Sequence, residues 1–485
     1  MRNLRIAVIG SGFGGLGSAI RLAAAGFGDI TVFEKAEDVG GVWRDNTYPG
    51  AACDVPSHLY SFSFAPKTDW SRRYARQSEI LGYLREIADR YDVRRRVRFS
   101  TEVLRASWTG DQWELQLSDG STSAADLLVS ACGQLSQPAQ PELPGLDTFQ
   151  GAAFHSAHWN HELDLAGRTV AVLGTGASAI QFVPAIAGTA GSVTVFQRSA
   201  PYVLPKRDPA YRPATVQAFA AAPALVKASR LGIYCYNESR SLGFNNNPKL
   251  LTPVQQRFRK MLAGAVPDPA LRAAVTPTER MGCKRILVSN DWYAALQRPN
   301  VSLVQGAVVA VRSHGVVDGD GVEHPADTII FGTGFRATDF LMPMQVRGAG
   351  GQELSQVWRD GASAHLGLTV PGFPNLFLVY GPNTNLGHNS VLLMVESQIG
   401  YVVQAARRLA AGDVRAMQVR PEVHSAFDAQ VQRRSGRTVF ADGCHSWYRT
   451  ANGRHTQNWP GSTLTYRWRT RRLREADFAL DPVRG

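Results

Sequence analysis

The sequence predicts an α/β protein built from two Rossmann-like dinucleotide-binding domains with a helical insertion. Three observations predict it. A glycine-rich turn between an apolar strand and a helix occurs twice, as "GSGFGG" and "GTGASA". Each turn is followed by a further apolar strand, "ITVFEK" and "VTVFQR". Two later strands, "DLLVSACG" and "DTIIFGTG", share one acid, apolar run and terminal glycine.

The chain opens on the apolar strand "LRIAVIG", and Gly10, Gly12 and Gly15 then give the GxGxxG spacing. Glycines there let the turn close and let the backbone approach a pyrophosphate on the N-terminus of the helix that follows. That helix, "LGSAIRLAAAG", ends at Gly26, and the next strand ends at Glu34, placed to bind a ribose diol. The second copy reads "RTVAVLG", then Gly174, Gly176 and Ala179, then a strand ending in Gln197 and Arg198. Exchanging the acid for glutamine removes repulsion of a 2′-phosphate, and the guanidinium can bind one. The first site is therefore expected to take FAD and the second NADP, as in a pyridine-nucleotide-dependent flavoprotein.

Each of the two later strands follows a short meander with turn signals, "WTGDQWELQLSDGS" and "VVAVRSHGVVDGDGVEH". In each case the strand returns the chain to its own nucleotide domain. Residues 204–281 have another texture, rich in alanine, arginine and proline with helical stretches, and read as an insertion bounding a substrate cavity. The expected division is 1–140 and 366–485 for the FAD-binding domain, the latter with a C-terminal loop. The linker and first part of the NADP-binding domain take 141–203, and its second part takes 282–365.

The composition excludes several classes. At 485 residues with 44% hydrophobic content, the chain is long enough for two or three domains with real cores. The start "MRNLRIAVIG" carries no signal-like apolar region, and no stretch reaches the roughly 20 apolar residues of a membrane span, so the expectation is a soluble cytoplasmic protein. The formal charge of +12 raises a nucleic-acid reading, but the arginines are dispersed; only "RWRTRRLRE" is dense, with no aromatic-rich binding motif around it. The cysteines at 53, 132, 235, 283 and 444 show neither CxxC nor zinc spacing. That suggests a reducing compartment and argues against a redox-active disulfide, so a disulfide reductase is set aside.

"FQGAAFHSAHWN" precedes the second glycine turn. A metal site there would need His155, His158 and His161 to converge with a further ligand; a structural linker is the plain alternative. The stretch carries Phe149, Gly151, His155 and Trp159 in the spacing FxGxxxHxxxW, and "GGVWRDNTYPGAACD" ends at Asp54. On these motifs the sequence resembles the Baeyer–Villiger monooxygenases, the class B flavin monooxygenases, over essentially the whole chain. Heteroatom-oxidising relatives usually carry Tyr or Phe where Trp159 stands, and Asn160 stands where Pro or Asp is usual.

The resemblance implies a linker coupling the two domains, with His155 important to turnover without touching the reacting atoms. It implies reduction of FAD by NADPH and reaction with O2 through a C4a-peroxyflavin. One oxygen is then inserted beside a ketone carbonyl to give an ester or lactone. The alternative is oxidation of sulfur, nitrogen or an alkyl terminus. By similarity, Arg285 stabilises the anionic peroxide and the developing oxyanion, and Asp54 orients it. Arg198 and Lys284 resemble a 2′-phosphate clamp, with Ser199 beside it, while Thr175, Gly176, Ser178 and Gln181 lie on the second glycine loop. Ser11, Phe13, Val42, Trp43, Tyr60, Val103, Gln134 and Val391 fall on the flavin side, and Trp447 matches a tryptophan that closes over NADP. The expected partners are a small ketone and O2, with no nucleic acid, no metal and no integral membrane segment.

Overall fold

A computed structural model describes residues 2–441 and 446–483; Cys444 lies outside them. Two five-stranded, wholly parallel sheets form the framework. The first runs Leu376–Leu378, Leu127–Ser130, Ile6–Ile9, Ile30–Phe33, Val97–Arg98. The second runs Val301–Gln305, Ser192–Gln197, Thr169–Leu173, Thr328–Phe331, Ala152–His155. In both, the strand before the glycine turn is flanked by the strand after it and by the acid-led echo strand. The central strands are buried on both faces, which is why they read as unbroken apolar runs.

Gly10 and Gly174 are glycines for a steric reason, because the chain just past each echo strand, at Ala131 and Gly332, runs against them. A Cβ on Gly10 (φ +96°) would lie 2.8 Å from the Ala131 carbonyl oxygen, and one on Gly174 (φ +106°) would lie 2.6 Å from that of Gly332. Left-handed φ and backbone contact together admit only glycine. Gly15 is tighter still, since its Cβ would meet the Gly10 carbonyl oxygen at 1.7 Å.

Each meander folds as an antiparallel sheet: Val103–Trp108, Trp113–Leu117 and Thr122–Ala125 in the first unit, and Val308–Arg312, Gly315–Asp318 and Glu323–Pro325 in the second. Gln345–Arg347 pairs in parallel with Val103–Trp108. The chain has thus re-entered the first unit ahead of residue 365, the expected boundary. The insertion is helical as expected, with proline at the first turn of Pro213–Ala221, Pro223–Ser239 and Pro269–Ala274. It is shared between the two units rather than confined to the second. Phe258, Leu262, Val266 and Val275 join the core of the second unit. Arg230, by contrast, donates from one Nη to the carbonyls of His58, Leu59 and Ser61 in the first, at 2.8–3.3 Å.

The fingerprint stretch is the edge strand of the second sheet. Its glycine has a packing cause: a Cβ on Gly151 would sit 2.1 Å from the Asp327 carbonyl oxygen. Gly151→Ala should lower stability by about 3 kcal/mol through this overlap, read as a lower thermal midpoint. An unchanged midpoint would mean that the edge strand shifts freely.

Cys53, Cys132 and Cys235 are free thiols, whereas Cys283 is disulfide-bonded, which runs against the reducing compartment that the cysteine spacing suggested. Among the described residues no helix is long and apolar enough to cross a membrane.

Buried histidines set an acid limit on the fold. Burial, helped by nearby Arg230 and Arg73, pushes His58 down to about 4; burial with His424 and Arg469 does the same to His365, and burial with Arg449 to His455. The unfolded chain binds these protons near pH 6.5 while the folded chain resists them. Stability therefore falls as pH drops from about 6.5 toward about 4. A loss on the order of 3 kcal/mol by pH 5 is expected from denaturant titrations, and a flat profile over that range would contradict it.

Candidate active site

One cavity of about 1080 Å³ runs between the two glycine turns and reaches Arg285, Val391 and Trp447. It lies at the upper end of the size range of small-molecule sites, about 300–1000 Å³. It is lined by the sequence-predicted residues except Gly15, Ala179 and His155. Gly15 and Ala179 belong to the helix starts behind the turns, packed against backbone and core.

On the first turn, Gly12 caps the helix Phe13–Ala24 with no side-chain hydrogen bond, so the helix start is open to an anion. Glu34 accepts from the Ser11 amide at 2.9 Å and the Ser11 hydroxyl at 2.7 Å, and pairs with Arg44 at 3.0 Å. Arg44 also lines the cavity. Gly12 and Gly41 face each other so closely that a Cβ on Gly41 would lie 3.1 Å from the Gly12 Cα. Gln134 donates to the carbonyls of Tyr380 and Gly381, while its buried Oε1 on the cavity wall has no partner. Bare helix start, carboxylate and orphaned acceptor together fit an adenine dinucleotide. Trp43 donates to Tyr60 at 3.1 Å, and Phe13 meets the Tyr60 ring edge-on at 5.2 Å. Val103 is buried at the cavity wall, and Val391 opens the helix Leu392–Ala410 there.

The second turn has a different polar set. Gln197 is buried and donates to the Ala274 carbonyl at 2.9 Å, so the position that would carry a ribose acid is turned into the insertion. Arg198 and Ser199 are exposed at the cavity. Lys284 donates to Ser199 Oγ at 2.9 Å and pairs with Glu279 at 2.8 Å. This donor set fits a phosphate monoester on a ribose. Gln181 accepts from Tyr48 and the Ala52 amide and donates to the Ala52 carbonyl, tying the second unit to the segment that carries Asp54. Thr175, Gly176 and Ser178 line the cavity.

Arg285 and Asp54 meet where the two units join. Both Nε (3.0 Å) and Nη2 of Arg285 donate to the same oxygen, Oδ2 of Asp54. Nη1 is left without a partner among the described residues. The Asp54 charge, offset in part by burial, holds the guanidinium above its already high range. Burial pushes the Asp54 carboxyl up, but Arg285 and, more weakly, Lys206 together hold it below the usual carboxylate range. Both groups are charged at neutral pH. Tyr380, partly buried, and Tyr448, buried, both absent from the sequence-based set, lie beside the pair, each driven up by burial and drawn back by the Arg285 charge. Tyr380 and Asn383 hold left-handed φ of +63° and +57° on the loop facing the cavity, a strain of the sort found at functional sites.

His155 lies outside the cavity. Its Nδ1 accepts from the Ala157 amide at 3.1 Å, its ring packs edge-on against Phe335 at 5.7 Å, and burial lowers its pKa. Phe335 itself lines the cavity. His161 instead pairs with the Thr47 hydroxyl at 2.7 Å, so these histidines serve separate partners. Trp159 packs on Phe154 and Phe182.

The profile of the flavin-binding monooxygenase-like family matches residues 3–223. A Baeyer–Villiger monooxygenase of Streptomyces coelicolor is 46% identical over 99% of this chain and 93% of its own length. Among solved structures, an oxidized steroid monooxygenase bound to NADP superposes with a TM-score of 0.88, at 31% identity and 99% coverage of both chains. The OTEMO complex with FAD and NADP superposes with a TM-score of 0.90, at 26% identity over 98% of this chain and 99% of that one. With two nucleotide turns, one acid-ended and one arginine-ended, opening on a single cavity, the chain belongs to the Baeyer–Villiger monooxygenase family.

Proposed function

We propose that this flavin-dependent monooxygenase, using FAD, NADPH and O2, inserts one oxygen beside a ketone carbonyl to give an ester or lactone. The observation that carries the reading is the Arg285–Asp54 pair at the junction of the two turns, with one guanidinium nitrogen left over. The bound flavin supplies electron transfer from NADPH and oxygen transfer to the substrate. Arg285 remains cationic throughout and offers Nη1 to the oxyanion that develops on the substrate carbonyl. Asp54 orients the guanidinium through two donors on one oxygen and stays ionised across the neutral range. Tyr60, Tyr380 and Trp43 wall the site, with Tyr448 packed behind, and limit water, which strengthens charge interactions inside it. Trp447 lines the cavity and would cover the nicotinamide nucleotide. His155 acts through packing on Phe335, as part of the linker that couples the two units.

The test is product analysis with a panel of cyclic and linear ketones, NADPH and isotopically labelled O2. An ester carrying one labelled oxygen supports the reading. Oxygenation of sulfides or amines alone, or NADPH use yielding only hydrogen peroxide, would overturn the ketone assignment.

A further inference from the structure

We propose that the face built from the helix Thr463–Thr470 and the end of the helix Pro421–Ser435 docks on an anionic phospholipid bilayer. This face carries the arginine cluster "RWRTRRLRE", which the nucleotide cavity does not use. Arg434, Arg467, Arg469 and Arg471 surround a shallow depression of about 610 Å³ together with Leu464 and Trp468. Arg433 and Arg472 are exposed beside it. The nearby carboxylates are already engaged: Asp413 and Glu475 by Arg408, and Asp428 by Arg454. The cluster's charge is therefore uncompensated among the described residues. Arg467 and Arg469 fall in the last turn of their helix, where cations are favourable. Arg434 does the same in the helix Pro421–Ser435, but Arg471 and Arg472 lie past the helix ends, and gathering like charges without an anion is unfavourable to the free protein.

The apolar component decides the partner. Leu464 and Trp468 lie one helical turn apart on the same face and are 57% and 55% exposed, whereas Tyr466 on the opposite face is fully buried. The Arg471 guanidinium sits 5.4 Å from the centre of the Trp468 ring. An indole settles at the headgroup level of a bilayer, a leucine reaches the acyl boundary, and flanking guanidiniums bind lipid phosphates. Leu464 offers nothing to a phosphodiester backbone, and the basic surface is compact rather than a track, so nucleic acid fits less well.

The test is flotation of the holoenzyme with phosphatidylcholine vesicles, with and without phosphatidylserine. Binding should be roughly tenfold stronger with phosphatidylserine and should fall as salt is raised. The double variant Arg434→Glu/Arg471→Glu should drop to the phosphatidylcholine level. Leu464→Ser should weaken binding several-fold at unchanged charge. Both variants should keep the wild-type flavin spectrum and thermal midpoint, because neither alters the cavity. Equal binding to the two vesicle types, no binding to either, or retention by the double variant would overturn the proposal. So would a DNA or RNA oligonucleotide that outcompetes vesicles with no effect of Leu464→Ser, which would assign the face to nucleic acid.

Discussion

Arg285→Ala is expected to lower ketone oxygenation by about 10³-fold, while NADPH still bleaches the bound flavin at nearly the wild-type rate. The separation follows from the geometry. Arg285 spends two donors on Asp54 and keeps one for an oxyanion, so its loss removes charge stabilisation at the oxygen-transfer step. On the proposed reading, hydride delivery would depend instead on how the two nucleotides are held by the glycine turns and by Arg198. Arg285→Lys should restore only part of the rate, since one ammonium cannot both hold Asp54 and present a planar donor. Removing Arg285 also leaves the Asp54 carboxylate without its main partner, and its pKa should rise. In the wild type, Asp54 is held below the usual carboxylate range, so an acid limb in activity above pH 5 would belong to another group. Stopped-flow reduction and product yield on the same preparation decide the matter. Undiminished ester formation by the alanine variant would remove Arg285 from the mechanism, whereas loss of flavin reduction as well would point to damaged nucleotide binding.

Much of this arrangement was readable from local pattern. Both glycine turns, the exchange of Glu34 for Gln197 and the twin echo strands are written in runs of five to ten residues, where backbone geometry dictates the residue type. Gly10 and Gly174 show why, since each sits at positive φ against an echo-strand carbonyl. What escaped the sequence depends on long-range contact. Gln345–Arg347 is a three-residue strand too short for its alternation to reveal it, and only its partner Val103–Trp108 makes it part of the first unit. The insertion has helical periodicity, but nothing in its pattern says that Arg230 reaches three carbonyls of the other unit. Arg44, Glu279, Tyr380 and Tyr448 were missed because a lone arginine, acid or tyrosine near a motif is ordinary until its neighbours are known. Gln181 lies in the helix Ala179–Ile186 just past the second turn, and its amide is committed to the Ala52 backbone, so part of its role is joining the units.

Arg198→Glu should raise KM for NADPH about 100-fold and leave KM for NADH nearly unchanged, reversing the coenzyme preference. Two cations, Arg198 and Lys284, line the cavity beside Ser199, but they are not equivalent. Lys284 is already paired with Glu279 and bonded to Ser199, so it has to share its charge with any phosphate. Arg198 stands exposed at the cavity, and its planar fork can grip a 2′-phosphate with two bonds. Discrimination should therefore rest mainly on Arg198, with Lys284→Ala costing only about tenfold. Gln197 cannot compensate, because its amide is buried against Ala274. The clamp is open to solvent, so KM for NADPH should also rise with salt in the wild type and much less in the variant. Steady-state kinetics with both coenzymes at two ionic strengths test the assignment. If Arg198→Glu kept its preference for NADPH, the phosphate would have to be held by Lys284 alone, which would first have to be freed from Glu279.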